Sequence, residues 1–370
     1  MLDIRAGTKR RGALLLRGLA FGLVLGASLG GLFGFVFGAR PLSALVGALS
    51  GMLNVSVMTL VIVGGEIFFP RTRLGRALEA APFVMTVAIK ALVYGTVITL
   101  VFGGSMGRRI VGAALLTPDA AAEALQGAMP RAVAIGIAFS LSLSFILVLQ
   151  LGRLIGEQTL LDIVLGRYHR PRAEERFFLF VDIVGSTPLA ERIGPAAVHR
   201  FLGEVFRLAS DPIDDHHGEV HQYVGDEIVV TWKAAEARDG ARPLACLFAI
   251  ERALENAASS IEREFGVVPR LRAALHAGLV ITGEVGVTRR AIVHHGDVMN
   301  TTSRIEQATR DLGRQFLVSA DALERLADLD GFVLDDLGPQ RLRGRTEPIQ
   351  VYGVALKAGI QEVTAGRPGT

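Results

Sequence analysis

Four long apolar runs in the first 151 residues constrain this chain more than any other feature. They cover residues 18–38, 41–65, 81–104 and 132–151. Each is close to the ~20 apolar residues that carry a helix across the hydrocarbon of a bilayer. Backbone N–H and C=O groups in lipid must be satisfied inside the segment, so each run is expected as a helix. The first run follows Lys9, Arg10, Arg11 and Arg17, as a secretory signal would. It exceeds the ~7–15-residue core of such signals, so a spanning helix is the reading adopted.

Basic residues give the orientation. The N-terminal tail, the second loop (Arg71, Arg73, Arg76) and the segment after the fourth run (Arg153, Arg167, Arg170, Arg172) carry them, and one four-span arrangement puts all three in the cytoplasm. Arg108 and Arg109 depart from this pattern. In the same loop, Thr117, Pro118 and Asp119 give a helix start and Gly127 a stop, which predicts a short helix on the outer face. Domain limits follow: 1–151 for the tail and four transmembrane helices, 152–172 for a linker, 173–358 for a cytosolic domain and 359–370 for a disordered tail. The expected location is a bacterial inner or plasma membrane, with the N-terminus and the cytosolic domain inside.

Two details go beyond topology. Gly18, Gly22, Gly26, Gly30, Gly34 and Gly38 recur every four residues, a stripe that lets helix backbones approach within one bundle or between two copies. Lys90 is the only charge within the four runs, and an ionisable group at that depth is costly. Glu66, at the cytosolic end of the second run, is the candidate partner. In the linker, Leu154, Leu161 and Leu165 suit a short helix that pairs with its own copy, ended by Pro171.

Composition changes after the fourth run. Half of the 370 residues are hydrophobic, yet the first 150 hold almost no acids and the remainder reads as mixed α/β. A single Cys246 excludes an intrachain disulfide framework and fits a reducing compartment. The formal charge of +3 gives no case for nucleic acid. No Gly-x-x-x-x-Gly-Lys-Ser/Thr run is present, which disfavours a P-loop ATPase.

Phe177-Phe178-Leu179-Phe180-Val181 reads as a strand buried on both faces, and it runs into Asp182-Ile183-Val184-Gly185-Ser186-Thr187. Residues 219–224 and 227–232 are two more strands around a Gly225-Asp226 hairpin turn. Asp182 and Asp226 then stand on neighbouring strand ends, a cradle for two magnesium ions carrying a triphosphate. Residues 271–280 read as a further strand and 282–286 as a turn. Asp297 is expected to cap a helix on which Asn300 and Arg304, four apart, share one face. His216, His217 and His221 with Asp214 and Asp215 read as exposed hairpin residues rather than a zinc site, and His294 and His295 as residues that could border a nucleotide pocket.

In motif order and spacing, residues 176–353 resemble the class III adenylate and guanylate cyclase catalytic domain. The run Phe180-Val181-Asp182-Ile183-Val184-Gly185-Ser186-Thr187 resembles its first metal motif, and Tyr223-Val224-Gly225-Asp226-Glu227 the second. The stretch from Gly296 to Arg304 resembles its Asn-x-x-x-Arg element, and Leu342 to Tyr352 its C-terminal strand pair. The fold this implies is an α+β, ferredoxin-like βαββαβ domain after an all-α transmembrane four-helix region. The resemblance also implies a homodimer with two composite sites, joined through the catalytic domain, the linker and the transmembrane helices.

On that resemblance, Asp182, Asp226 and the carbonyl of Ile183 would bind two Mg²⁺ or Mn²⁺ ions on one subunit. Asn300 and Arg304 would come from the other, orienting the ribose and stabilising the α-phosphate. Phe180, Gly185, Ser186 and Thr187 would flank the substrate. Three positions depart from the family pattern. The adenine-selecting lysine is Gln222, its acidic companion is Val293, and the lysine of the terminal phosphates is Arg343. Gln222 carries both donor and acceptor, so it can read adenine or guanine. The expectation is an adenylate cyclase acting on ATP. The alternatives are a guanylate cyclase acting on GTP, a catalytically weak nucleotide-binding relative, and a transporter with a regulatory domain.

Overall fold

A computed structural model describes residues 4–37, 43–79, 81–114, 131–286, 290–345 and 347–357. One compact unit spans Thr8–Glu157 and a second includes Gln158–Thr370. The expected tail at 359–370 lies outside the described residues, as do Thr117, Pro118, Asp119 and Gly127.

The first unit is helical: α1 Ile4–Phe37, α2 Ser43–Phe68, α3 Arg73–Glu79, α4 Phe83–Ala114 and α5 Arg131–Ile155. The four apolar runs fall in α1, α2, α4 and α5. Two stretches, Leu45–Phe68 and Phe83–Val101, are long and apolar enough to cross a membrane, and Gly18–Leu32 is a shorter apolar helix. Residues 105–114, expected in a loop, continue α4 instead. Nothing in their sequence breaks a helix, and Pro118 comes only later.

The glycine stripe joins α1 to α2 within one chain. A Cβ on Gly26 would strike the Gly51 carbonyl oxygen, and one on Gly30 that of Gly47. Gly18 and Gly22 both face Thr59. Small residues there admit backbone-to-backbone approach that any side chain would block. Gly38 lies outside the described residues. The expected partner of Lys90 is also found: Lys90 Nζ donates to Glu66 Oε2 at 2.8 Å, and the Tyr94 hydroxyl donates to Oε1 at 2.8 Å. Tyr94 belongs to a buried apolar cluster with Ile62, Val87, Ala91 and Ile146.

The linker differs from one continuous helix. Gly156, at φ 97°, ends α5, and α6 resumes over Glu157–Val164. Gly reaches that backbone region without steric cost, which explains the break there.

The second unit is a mixed sheet of eight strands. These are β1 Arg172–Ile183, β2 Glu219–Val224, β3 Glu227–Lys233, β4 Leu271–Val285, β5 Ala291–His295, β6 Phe316–Ser319, β7 Phe332–Gln340 and β8 Ile349–Leu356. The order is β2-β3-β1-β4-β6-β8-β7, with β5 paired to β4. Its helices are α7 Ser186–Ile193, α8 Pro195–Asp215, α9 Ala234–Ala237, α10 Arg242–Phe265, α11 Val298–Asp311 and α12 Ala320–Leu323. The first four strands and their helices give the βαββαβ arrangement, with β1 antiparallel to β3 and β4 and β2 antiparallel to β3.

Alternation along β1 explains its unbroken apolar sequence. Phe177, Leu179 and Val181 join the core formed with α8 and α10, through Phe201, Val205, Leu244 and Leu247. Phe178 and Phe180 face the other side of the sheet, against Val229, Val280 and Val298. Two sequence expectations change. Residues 282–285, expected in a turn, belong to β4 because β5 pairs with them from Ile281↔His295 to Val285↔Ala291. Of the stretch from Leu342 to Tyr352, only the part from Ile349 is strand; Leu342–Arg345 form the connection from β7.

Candidate active site

Asp182 reaches the end of β1 at a position where it faces Glu227 of β3 on one side and Arg272 of β4 on the other. Arg272 Nη2 donates to Asp182 Oδ2 at 2.6 Å. The β2–β3 turn holds Asp226 beside it. Gly225 adopts φ 62° there, a left-handed conformation that a β-carbon would penalise. Gly185, at φ 81°, turns the chain from β1 into α7, and this aims Ser186 Oγ to donate to Asp226 Oδ2.

Carboxylates outnumber cations in this corner. Burial, with the Asp226 charge, pushes the Asp182 carboxyl above its usual range despite the pull of Arg272. Burial pushes Glu227 up to about 7, aided by Glu306, Asp182 and Asp226. Burial and Asp182 likewise raise Glu306. Such a group of hard oxygen donors, short of positive charge, fits a divalent cation of the Mg²⁺ or Mn²⁺ type. Among the described residues, no three His, Cys, Asp or Glu side chains converge as a metal cage, which includes the His216, His217 and His221 region.

A second polar constellation lies on α11. Asp297 occupies the N-cap position, but its side chain makes no capping bond and instead accepts from Arg345 and from Thr301. Buried Thr301, Thr302 and Ile305 seat the helix on the sheet, which leaves Asn300, Ser303, Arg304 and Gln307 to line an open cleft of about 350 Å³. Arg343 and Gly344, from the β7–β8 connection, close its far side. Arg304 Nη1 donates to the Gly344 carbonyl at 3.5 Å. Two guanidiniums, two amides and a hydroxyl around an open space suit a phosphate-bearing ligand.

The sequence-derived residues thus separate into two sets. Asp182, Ile183, Gly185, Ser186 and Asp226 gather at the β1 end, while Asn300, Arg304 and Arg343 share the cleft, which none of the first set lines. Thr187 is exposed in the first turn of α7. Phe180 is buried under the sheet with Val229 and Val298. Gln222 is exposed on β2 at a register shift, and half-buried Val293 faces Gly283. His294 packs against His221, ring centroids 4.9 Å apart, and accepts or donates at Thr282 Oγ1 rather than bordering the cleft. Sequence reading passes over Arg272 and Glu306. The available signal was a lone arginine opening the apolar strand β4.

Residues 169–355 match the family described as the adenylate and guanylate cyclase catalytic domain, and the chain belongs to that family. It is 41% identical over 214 residues to adenylate cyclase 2 of Rhizobium meliloti (strain 1021), which is 58% of this chain and 58% of that protein. It is 31% identical over 180 residues to adenylate cyclase 1 of the same organism, covering 48% of this chain and 27% of that one. With an adenylate cyclase of Anabaena cylindrica it shares 30% identity over 186 residues, 48% of this chain and 36% of the other. The chain spans less than two thirds of the length of each of these relatives.

Proposed function

We propose that the chain is a membrane-bound adenylate cyclase that converts ATP to 3′,5′-cyclic AMP and pyrophosphate at two composite sites of a homodimer. One observation carries this reading. The fold brings Asp182 and Asp226 together and holds Asn300, Arg304 and Arg343 in a separate cleft on the same chain. Each set is half of a cyclase site, and two copies supply both halves twice. The 41% identity to a protein named as an adenylate cyclase supports ATP as the substrate.

The carboxylates of Asp182 and Asp226 and the Ile183 carbonyl would hold two Mg²⁺ or Mn²⁺ ions, which when bound acidify the ribose 3′-hydroxyl and offset triphosphate charge. Ser186 fixes the Asp226 carboxylate by donating to Oδ2. Gly185, Ser186 and Thr187 open α7, where free N–H groups meet phosphate oxygens. From the second copy, Asn300 orients the ribose, Arg304 stabilises charge on the α-phosphoryl oxygens, and Arg343 holds the terminal phosphates. The 3′-oxygen loses its proton to solvent, bonds to the α-phosphorus and displaces pyrophosphate. The work is positioning and charge stabilisation.

Residues 1–151 cross the membrane as four helices, with the N-terminus and the domain at 173–358 in the cytoplasm. The long apolar stretches in α2 and α4 support this, together with the basic residues flanking them. The linker at 152–172 and the helices contribute to the dimer. Exposed Gln222 supports a second reading, GTP as substrate, because its amide can donate to or accept from either purine. The full-length protein in detergent micelles, given ATP or GTP with Mg²⁺ or Mn²⁺, separates the two. Cyclic AMP is expected. Cyclic GMP alone would establish the second reading, and no cyclic product from either would overturn both.

A further inference from the structure

Between the two half-sites of one chain lies a half-buried arginine whose Nε has an unfinished contact. Arg272 Nη2 is bonded to Asp182 Oδ2 at 2.6 Å. Its Nε points at Glu306 Oε1, 3.8 Å away, and both of these atoms are buried without a hydrogen-bond partner. Leaving charged groups unsatisfied in the interior costs more than an ordinary lost hydrogen bond, so closing that gap would be favourable. Glu306 lies on α11, two residues from Arg304 and on the buried side of the same helix.

Arg272 therefore has two acceptors and completes only one. With Asp182 free of cations, the arginine is its nearest counter-charge. A divalent cation at Asp182 would take over that oxygen and repel the guanidinium at close range. The only other carboxylate with which Arg272 forms an ion pair among the described residues is Glu306.

We propose that Arg272 is a positioning residue that exchanges Asp182 for Glu306 when a divalent cation binds, and so reports cation occupancy to α11. The inference rests on the composite-site reading, in which Asp182 serves one active site and Asn300 and Arg304 of the same chain serve the other. Filling one site then tightens the helix that carries the ribose and phosphate groups of the second. The relay uses one side chain and moves it by little more than 1 Å at Nε, which a guanidinium fork accommodates by rotation.

The primary readout needs no turnover. Full-length protein in detergent micelles is examined by amide hydrogen exchange with and without Mn²⁺ alone. In the wild type, Mn²⁺ should slow exchange in α11 around Glu306 by about 10-fold, the equivalent of ~1.4 kcal/mol. Glu306→Gln should bind Mn²⁺ and show no slowing in α11. In the wild type, ATP dependence should be cooperative, and in Glu306→Gln that cooperativity should fall away.

Arg272→Lys provides the second arm if Glu306→Gln fails to fold. Lysine keeps the charge but not the fork, so Mn²⁺ should bind without the α11 signal. An α11 response to Mn²⁺ that is absent in the wild type, or that persists in the folded variants, would overturn the relay. A wild type that makes no cyclic nucleotide would instead remove the cyclase reading, which keeps the two failures distinct.

Discussion

Lys90 and Glu66 form an ion pair between helices, Nζ to Oε2 at 2.8 Å, with the lysine 5% exposed. Tyr94 donates to the second carboxylate oxygen. Removing the cation from the half-buried Glu66 carboxylate costs up to ~3–5 kcal/mol, the scale for breaking a buried pair, whereas replacing both partners by apolar groups is often neutral. Lys90→Met is expected to destabilise the helical unit by that amount, and Lys90→Met with Glu66→Met to recover most of it. Denaturant titration in mixed micelles, followed by helix content, reads both.

The α1–α2 contact gives a second expectation. A Cβ on Gly26 would strike the Gly51 backbone, while one on Gly12 meets nothing within 4 Å. Gly26→Leu should cost about 1–3 kcal/mol or more by forcing the helices apart. Gly12→Leu should be close to neutral. The same titration separates them, and equal effects at the two positions would contradict the packing.

Arg304→Ala is expected to lower kcat by on the order of 10²–10³, the scale for losing one group that stabilises transition-state charge. Asp182→Ala should abolish turnover. Alone, each variant should stay at or below about 1% of wild-type activity, yet a mixture should regain about a quarter of it, since half of random dimers are mixed and each has one intact site. A mixture as inactive as its parts would argue against sites shared between copies.

His276 gives a pH dependence. Burial lowers its pKa from 6.5 to about 4, and Nδ1 lies 2.7 Å from Ser319 Oγ. That oxygen also accepts from the Ala322 N–H at the start of α12. The folded state therefore keeps the ring neutral, and the unfolded chain takes up the proton first. Stability from this group is present above pH 6.5 and falls as pH drops toward 4, by about 3 kcal/mol in all. His276→Gln should lose that slope in urea titrations from pH 7 to pH 4, relative to the wild type.

Much of this was legible from pattern alone, and the limits are physical. Phe177 to Val181 announced a strand covered on both faces because an exposed face would have demanded polar alternation. The Gly225-Asp226 turn announced itself because so few residues accept φ near 62°. The extension of β4 through Val285 was hidden, since strand length there depends on β5, a partner set by tertiary pairing. Arg272 and Glu306 were hidden for the same reason: 34 residues apart in sequence, they meet only once α11 is laid across β4. Lys90 and Glu66 could be matched because a long apolar run leaves a buried charge so few alternatives.

Arg345 ties the connection after β7 to Asp297 and Thr301 at the start of α11. Arg343 is two residues away on that connection, and Arg304 follows Thr301 by three on that helix. These contacts tether the loop to the helix on one side of the cleft. Two repelling guanidiniums are held at a set spacing without an anion between them, so the entropy of bringing them together is already spent in folding. On the proposed reading, a triphosphate entering the cleft would meet a mould cast in advance.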